Sequence, residues 1–339
     1  MSAVEGETTA RPPATGDGAI SGIFISWAKL RRADTLAERL GIPSLAIRRL
    51  RRGTPLLLTL WKYFLQASET LGALVRRRPR VVFVTSPPIF AALTVWLYAL
   101  IFRARFVIDF HSGAFLEKEW RRWDWLQRLL ARRAALNIVH NDDNAKTAEA
   151  WGAPYVVLPS LPPSLEPSPG GPPVRSRPLA VYVCSWKSDE PVEALLEAAR
   201  LTSGVDFRVT GRAPAGGPSD LPPNVELTGF LGEEEYNQLL RSADVLIALT
   251  TRPGTLLYGA QEAIALHKPL VLSRTPTLEA YFPEGTVFVE NTAADLRVGI
   301  LDALERHDVL QARMGAFERQ YRAEGEARLA EVRRRLLAF

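Results

Sequence analysis

The chain has 339 residues, 47% hydrophobic and 23% charged, with a single cysteine and a formal charge of +5. That length exceeds one ordinary core and suits two domains, and the apolar fraction excludes wholesale disorder and collagen-like repeats. A lone Cys184 excludes an intrachain disulfide and a cysteine-rich zinc site, so a reducing, cytoplasmic setting is expected. The charge is uneven: residues 1–160 carry 23 Lys/Arg against 13 Asp/Glu, and the remainder 19 against 24. A basic half invites nucleic acid, an anionic membrane surface or a phosphorylated substrate. No nucleic-acid motif accompanies the arginines, so nucleic acid is not an expected partner.

Residues 1–18 are polar and lack an apolar core segment, and they read as a disordered leader rather than a signal peptide. The first half then alternates short apolar strands with helical stretches. Strands are expected at 22–27, 41–47, 81–85, 106–110 and 136–140. Helices are expected up to Leu40 and over 55–77, 89–102, 116–134 and 141–151, the second with Tyr63, Ala67, Leu71 and Leu74 on one face. The run over 89–102 (IFAALTVWLYALIF) is too short to span a bilayer, which leaves a core helix or a half-inserted one. Eight prolines within 159–178 mark a linker where the charge balance changes sign. Beyond it, strands at 179–184, 206–210, 225–228, 245–248, 270–273 and 286–289 alternate with helices at 191–201, 233–242, 256–266, 293–306 and 309–337. Continuous apolar strands separated by helices imply parallel sheets covered on both faces. The expected fold is α/β: two Rossmann-like domains facing across a cleft lined by strand carboxyl ends. The expected boundaries are a leader at 1–18, a first domain at 19–160, a linker at 161–177, a second domain at 178–315 and a terminal helix at 316–339.

Several familiar chemistries are missing. A Gly-x-Gly-x-x-Gly turn, a P-loop, His-Glu-x-x-His, Gly-x-Ser-x-Gly and Asp-x-Asp are all absent, which argues against a dinucleotide cofactor and against a carboxylate-held metal. The informative segments lie at strand ends. They are CSWKSDE at 184–190, VTGRAP at 209–214, DVLIALTT at 244–251 with the stretch from Gly254 to Glu262, and HKPLVLS at 267–273. Together these resemble the donor half of GT-B glycosyltransferases and related group 1 (retaining-type) enzymes; the first two, with Phe230–Leu240, look closest to the β-1,4-mannosyltransferases of the lipid-linked oligosaccharide pathway, to which VTSPP at 84–88 and VIDFH at 107–111 are also similar. The resemblance covers most of residues 20–310.

The resemblance implies the GT-B fold, with a C-terminal helix crossing back to the first domain, and a hexosyl transfer from a GDP- or UDP-sugar, with no cofactor and no metal. A sugar diphosphate gains charge as its glycosidic bond breaks, and helix-start N–H groups with nearby cations stabilise that charge. Thr251, Gly254, Thr255 and Leu256 lead into a helix suited to that task, while Ser185, Lys187 and Arg212 lie just beyond strand ends, within reach of phosphates. Glu262, one helical face along from Tyr258, matches the acid that such enzymes place on the ribose hydroxyls. Gly254 stands where many retaining members carry a first glutamate, so retention and inversion both stay open. For a base the candidate is His111, with Asp109 either holding its imidazole or itself serving as base. Thr85 and Ser86 are candidate hydrogen-bond donors to the acceptor or to phosphate, and His140 and Asn141 candidate positioning groups; His267 and His307 read as structural.

Residues 117–133 place Trp120, Trp123, Leu126 and Leu130 on one stripe flanked by Arg121, Arg122, Arg128, Arg132 and Arg133. Two further clusters are Arg48, Arg49, Arg51 and Arg52, and Arg76, Arg77, Arg78 and Arg80. Tryptophan beside arginine on an amphipathic helix suits an interfacial membrane contact; the alternative is a core-facing helix with a solvated basic face. Acceptors in the resembling families are often polyprenyl-linked, so a lipid-linked or polysaccharide acceptor on the inner face of the cell membrane is expected. Two other functions remain open: a GT-B-shaped sugar-nucleotide epimerase, and a non-catalytic sugar-nucleotide-binding partner of another transferase.

Overall fold

The computed structural model describes residues 20–47, 56–168 and 175–337. The expected leader and the cluster Arg48, Arg49, Arg51 and Arg52 lie outside the described residues. The chain divides into two compact units: residues up to Leu161 together with those from Gly325 on, and Pro162–Glu324.

The first unit holds a parallel sheet of β1 (Gly22–Ser26), β2 (Ser44–Ala46), β3 (Val81–Ser86), β4 (Arg105–Phe110), β5 (Leu136–Val139) and β6 (Tyr155–Val157), in the order β2-β1-β3-β4-β5-β6. Its helices are α1 (Arg31–Leu40), α2 (Leu56–Arg77), α3 (Ile89–Phe102), α4 (Ser112–Leu116), α5 (Lys118–Arg121), α6 (Asp124–Arg133) and α7 (Asp142–Ala150). The strands read as unbroken apolar runs because both faces are covered. Val82 and Val84 point into one core with residues of α2, α3, α6 and α7, while Phe24, Phe83 and Val107 point into the other with α1.

The second unit repeats the plan with β7 (Leu179–Tyr182), α8 (Val192–Arg200), β8 (Asp206–Thr210), β9 (Val225–Gly229), α9 (Glu233–Ser242), β10 (Val245–Ala248), α10 (Tyr258–Leu266), β11 (Leu270–Ser273), α11 (Pro276–Tyr281), β12 (Thr286–Val289) and α12 (Ala293–Glu305). The strand order is β12-β11-β10-β7-β8-β9. The last helix, α13 (His307–Leu337), begins in this unit, and its end returns to the first, where Leu329, Val332 and Leu336 are buried in the core beside Phe24 and Val107. Both sheets reverse their winding once, between β1 and β3 and between β7 and β10. In open α/β sheets ligands bind at such reversals, outside the strand carboxyl ends.

Three expectations are corrected. The single helix over 116–134 is three pieces, because Glu117 is extended (φ −78°, ψ 126°) and the chain turns again at Arg122 and Trp123. The buried Gln127 amide stitches the break, donating to the carbonyls of Ala114 (3.1 Å) and Trp120 (3.0 Å). The stripe of Trp120, Trp123, Leu126 and Leu130 faces the core, with Trp123 edge-on to Phe90 at 5.0 Å, so it is not an outward membrane face. The helix expected at 256–266 starts only at Tyr258, leaving Thr255 and Leu256 in the preceding loop. No described helix is long and apolar enough to cross a membrane. The α3 run is instead a one-sided core helix, with Ala92, Val95 and Ala99 buried and Leu97, Leu100 and Ile101 exposed.

Candidate functional site

Asp109 occupies a position in β4 where its neighbours are apolar, and it is fully buried. An uncompensated carboxylate there would be costly. Arg32, from the first turn of α1, answers it: Nη2 donates to Oδ1 at 2.9 Å, and Nε lies 3.2 and 3.1 Å from Oδ1 and Oδ2. The same guanidinium donates to the Leu158 carbonyl (2.8 Å) and to Ser160 Oγ (3.2 Å), which anchors it to the segment after β6. Two imidazoles complete the cluster. His111 Nε2 is 3.4 Å from Oδ2 and His140 Nε2 is 3.5 Å from Oδ1, with the rings edge to face at 4.6 Å. Neither contact reaches full hydrogen-bond geometry, so both imidazoles lean on the carboxylate. Burial would raise the Asp109 carboxyl, but the Arg32 guanidinium and the two imidazoles hold it well below the usual carboxylate range. Burial pushes the His140 imidazole down to about 3, with Arg32 and His111 adding to the effect, so His140 is neutral.

Only His111 reaches the surface: its side chain is 23% exposed, against 8% for His140 and none for Asp109. His111 Nε2 faces the carboxylate at 3.4 Å, so a proton on Nε2 is the tautomer that the negative charge favours. Asp109 has no exposed edge, and its carboxylate faces only the Arg32 guanidinium and the two imidazoles. Thr85 and Ser86 end β3 beside it, buried, with hydroxyl oxygens that lack a protein partner, and the Ser86 carbonyl accepts from the His111 amide (2.8 Å). Asn141 is fully buried and caps α7, accepting the Asn144 amide at 2.9 Å, which removes it from the group facing outward. The Asp109, His111 and His140 ligand atoms lie within 4.8 Å of one another, a spacing that suits a metal. The guanidinium hydrogen-bonded to the same carboxylate opposes a further cation, so the arrangement suits a proton better.

The second unit builds its site at β7 and β10. Gly211, just past β8, must be glycine: a Cβ there would sit 2.4 Å from the Cys184 carbonyl oxygen. This close crossing fixes the Cys184–Glu190 loop, in which Trp186 Nε1 donates to the Thr210 carbonyl (3.0 Å). Within the loop the Glu190 carboxylate accepts from the Ser185 amide (3.0 Å), the Lys187 amide (2.7 Å) and Ser185 Oγ (3.0 Å). Burial and the Glu190 carboxylate push the Cys184 thiol up to about 12, so it is an inert thiol. Asp189 does the same for the β10 loop. Its carboxylate accepts the Thr250 hydroxyl (2.8 Å) and pairs with Arg252 (3.3 Å), and its carbonyl accepts the Thr251 amide (2.7 Å).

Gly254 takes φ 65°, a left-handed turn that carries the chain from Thr251 toward α10. The cap of α10, Leu257, is extended and makes no side-chain cap hydrogen bond, while its carbonyl accepts the Ala260 amide at 3.2 Å. Glu262 lies in α10, 1% exposed, with the Tyr236 hydroxyl of α9 donating to Oε2 at 2.8 Å. The Lys187 and Arg212 side chains are exposed beside these loops. Sequence reading missed Arg32, Glu190 and Tyr236. Arg32 had left a trace, since 32, 36 and 40 form the buried stripe of α1 and an arginine on such a stripe demands an acid.

Two family profiles match the chain: a glycosyl transferase 4-like domain over residues 17–162 and a glycosyl transferase-like domain over 187–336. No curated protein matches it in sequence. Among solved structures it is similar to the sucrose-phosphate synthase tll1590 of Thermosynechococcus elongatus, with TM-score 0.72, 14% identity, and 94% of this chain and 99% of that chain covered. It is similar to Alr3699/HepE of Anabaena in complex with UDP and glucose, with TM-score 0.69, 14% identity, and 94% and 100% covered. A UDP-forming α,α-trehalose-phosphate synthase of Burkholderia xenovorans matches with TM-score 0.66, 12% identity, and 92% and 100% covered. At such identities the structures establish a shared fold.

Proposed function

We propose that this chain, a glycosyltransferase of the GT-B fold, transfers a sugar from a UDP-sugar held by its second unit to a hydroxyl of a glycan or lipid-linked acceptor received by its first. The observation that carries the reading is the buried Arg32–Asp109 pair with His111 as its one exposed member. Such a cluster holds an imidazole in one tautomer and orientation at a strand carboxyl end, as proton handling requires. A uridine donor is supported by the structural relatives, one bound to UDP and glucose and another UDP-forming. The finer likeness to β-1,4-mannosyltransferases rests on the strand-end motifs.

In this reading the diphosphate lies toward the positive, N-terminal end of α10 and is met by Lys187, Arg212 and Arg252, with the ribose on Glu262. These groups stabilise the charge that develops as the bond from the anomeric carbon to the phosphate oxygen breaks. The acceptor oxygen bonds to the anomeric carbon and loses its proton. The anomeric configuration of the product, read by NMR, says where that proton goes. Inversion puts it on His111 Nδ1, whereas retention hands it to the departing phosphate and leaves His111 a positioning group.

The test is release of nucleotide from a panel of UDP- and GDP-sugars, with and without a polyprenyl-diphosphate-linked glycan. Acceptor-dependent release of UDP is expected. Release from GDP-sugars alone overturns the base, and conversion of the donor without an acceptor moves the reading to an epimerase.

A further inference from the structure

We propose that the outer face of α2, α3 and α6 is a docking surface for an anionic lipid bilayer. This surface is distinct from the inward Trp120/Trp123 stripe. The three helices lie side by side on one face of the first sheet, where their inner sides share a core. Their outer sides are apolar to an unusual degree. Trp61 and Phe64 of α2 are 56% and 60% exposed and stack on each other at 5.5 Å. Leu97, Leu100 and Ile101, at helical spacing on α3, are 44%, 57% and 73% exposed, and Trp125 of α6 is 63% exposed. Single exposed apolar residues are ordinary; large ones gathered on adjacent helices mark an interaction surface.

The charges on the same helices identify the occupant. With the Arg103 cap of α3, the three carry seven basic residues (Lys62, Arg76, Arg77, Arg103, Arg128, Arg132 and Arg133) and two acidic ones (Glu69 and Asp124). A second copy of this face would set arginines against arginines. A bilayer rich in acidic headgroups satisfies both halves of the pattern: tryptophan, leucine and isoleucine enter the acyl boundary and arginines meet phosphates. Since no described helix is long enough to cross, the association is peripheral. The inference does not depend on the donor reading, because vesicle binding requires no sugar nucleotide.

The test is sedimentation of the full chain with vesicles of phosphatidylcholine alone or with phosphatidylglycerol added, at low and high salt, beside analytical ultracentrifugation of the chain alone. Binding to the phosphatidylglycerol vesicles that weakens with salt is expected. Leu100→Ser/Ile101→Glu should lower the partition coefficient at least tenfold with an unchanged melting temperature and unchanged UDP binding. Arg128→Ser/Arg132→Ser should lower it by about fivefold for each arginine, on anionic vesicles only. Equal partitioning of the apolar double variant and the parent, failure to bind anionic vesicles, or a dimer that the same variant dissociates would each overturn the proposal.

Discussion

The two strand-end sites handle charge in opposite ways. In the first unit, an acid and a base 77 residues apart in sequence meet inside the core, Arg32 and Asp109 being 6% and 0% exposed. In the second, Asp189 and Glu190 stand at a surface loop and satisfy amides and hydroxyls within a few residues or on the adjoining loop. A charge pair of the first kind is locked, because neither member has water to fall back on, whereas one of the second kind is exchangeable. Substitutions should therefore strike stability in the first unit and ligand binding in the second. The largest expected effect tests that split. Arg32→Met leaves Asp109 buried without its cation and should cost about 3–5 kcal/mol in denaturant unfolding. Arg32→Met/Asp109→Leu, which removes both charges, should recover part of the loss. If the single variant unfolds like the parent, the two sites are not different in kind.

His111 is the exception inside the locked region, since its side chain reaches the surface. With His111 as the base of an inverting transfer, His111→Ala should lower kcat by about a hundredfold or more, the usual range for lost proton transfer, while the unfolding midpoint moves little. Transfer assays and melting curves on one preparation separate the two effects.

Acid provides a third way to probe the same cluster. His140 titrates at about 3 in the folded chain and near 6.5 when unfolded, so between those values the unfolded chain binds more protons. Stability then falls as pH drops from 6.5, by up to about 1.4 kcal/mol per unit for this one group. Asp109 acts in the same direction at lower pH: its depressed carboxyl contributes stability above its unfolded value of about 3.9, and that is lost as pH falls through the folded one. His140→Asn should flatten the stability profile between pH 6.5 and 4.5 and leave the steeper fall below it. An unchanged slope would mean that His140 is not held neutral.

The same contrast explains what could be read from sequence. The β-strands were legible because burial on both faces leaves unbroken apolar runs such as the one over 81–85, and the return of the last helix was expected from the GT-B resemblance. Asp109 and His111 were legible because polar residues at the end of an apolar strand have few other reasons to be there. The helix break at Glu117 was not, because periodicity records which residues face inward and cannot see a Gln127 side chain replacing helical hydrogen bonds. Asn141 looked like a cleft residue and is a cap, since capping and ligand binding favour the same short polar side chains. Glu190 left no trace at all, because a carboxylate that accepts from neighbouring amides needs no partner with a pattern of its own.

Glu190 also carries the smallest of the expected effects. Its carboxylate fills the cup formed by the Ser185 and Lys187 amides, which is where an incoming phosphate would find donors. Replacing it by glutamine keeps an acceptor of the same shape and removes a negative charge from the neighbourhood of the diphosphate. For a partly exposed charge in physiological salt the gain is modest, and Glu190→Gln should lower the donor KM by about twofold to fivefold without changing kcat. Potassium chloride should shrink the difference between variant and parent. A raised donor KM would mean that the carboxylate shapes the loop more than it repels the ligand, and the second site would then be as locked as the first.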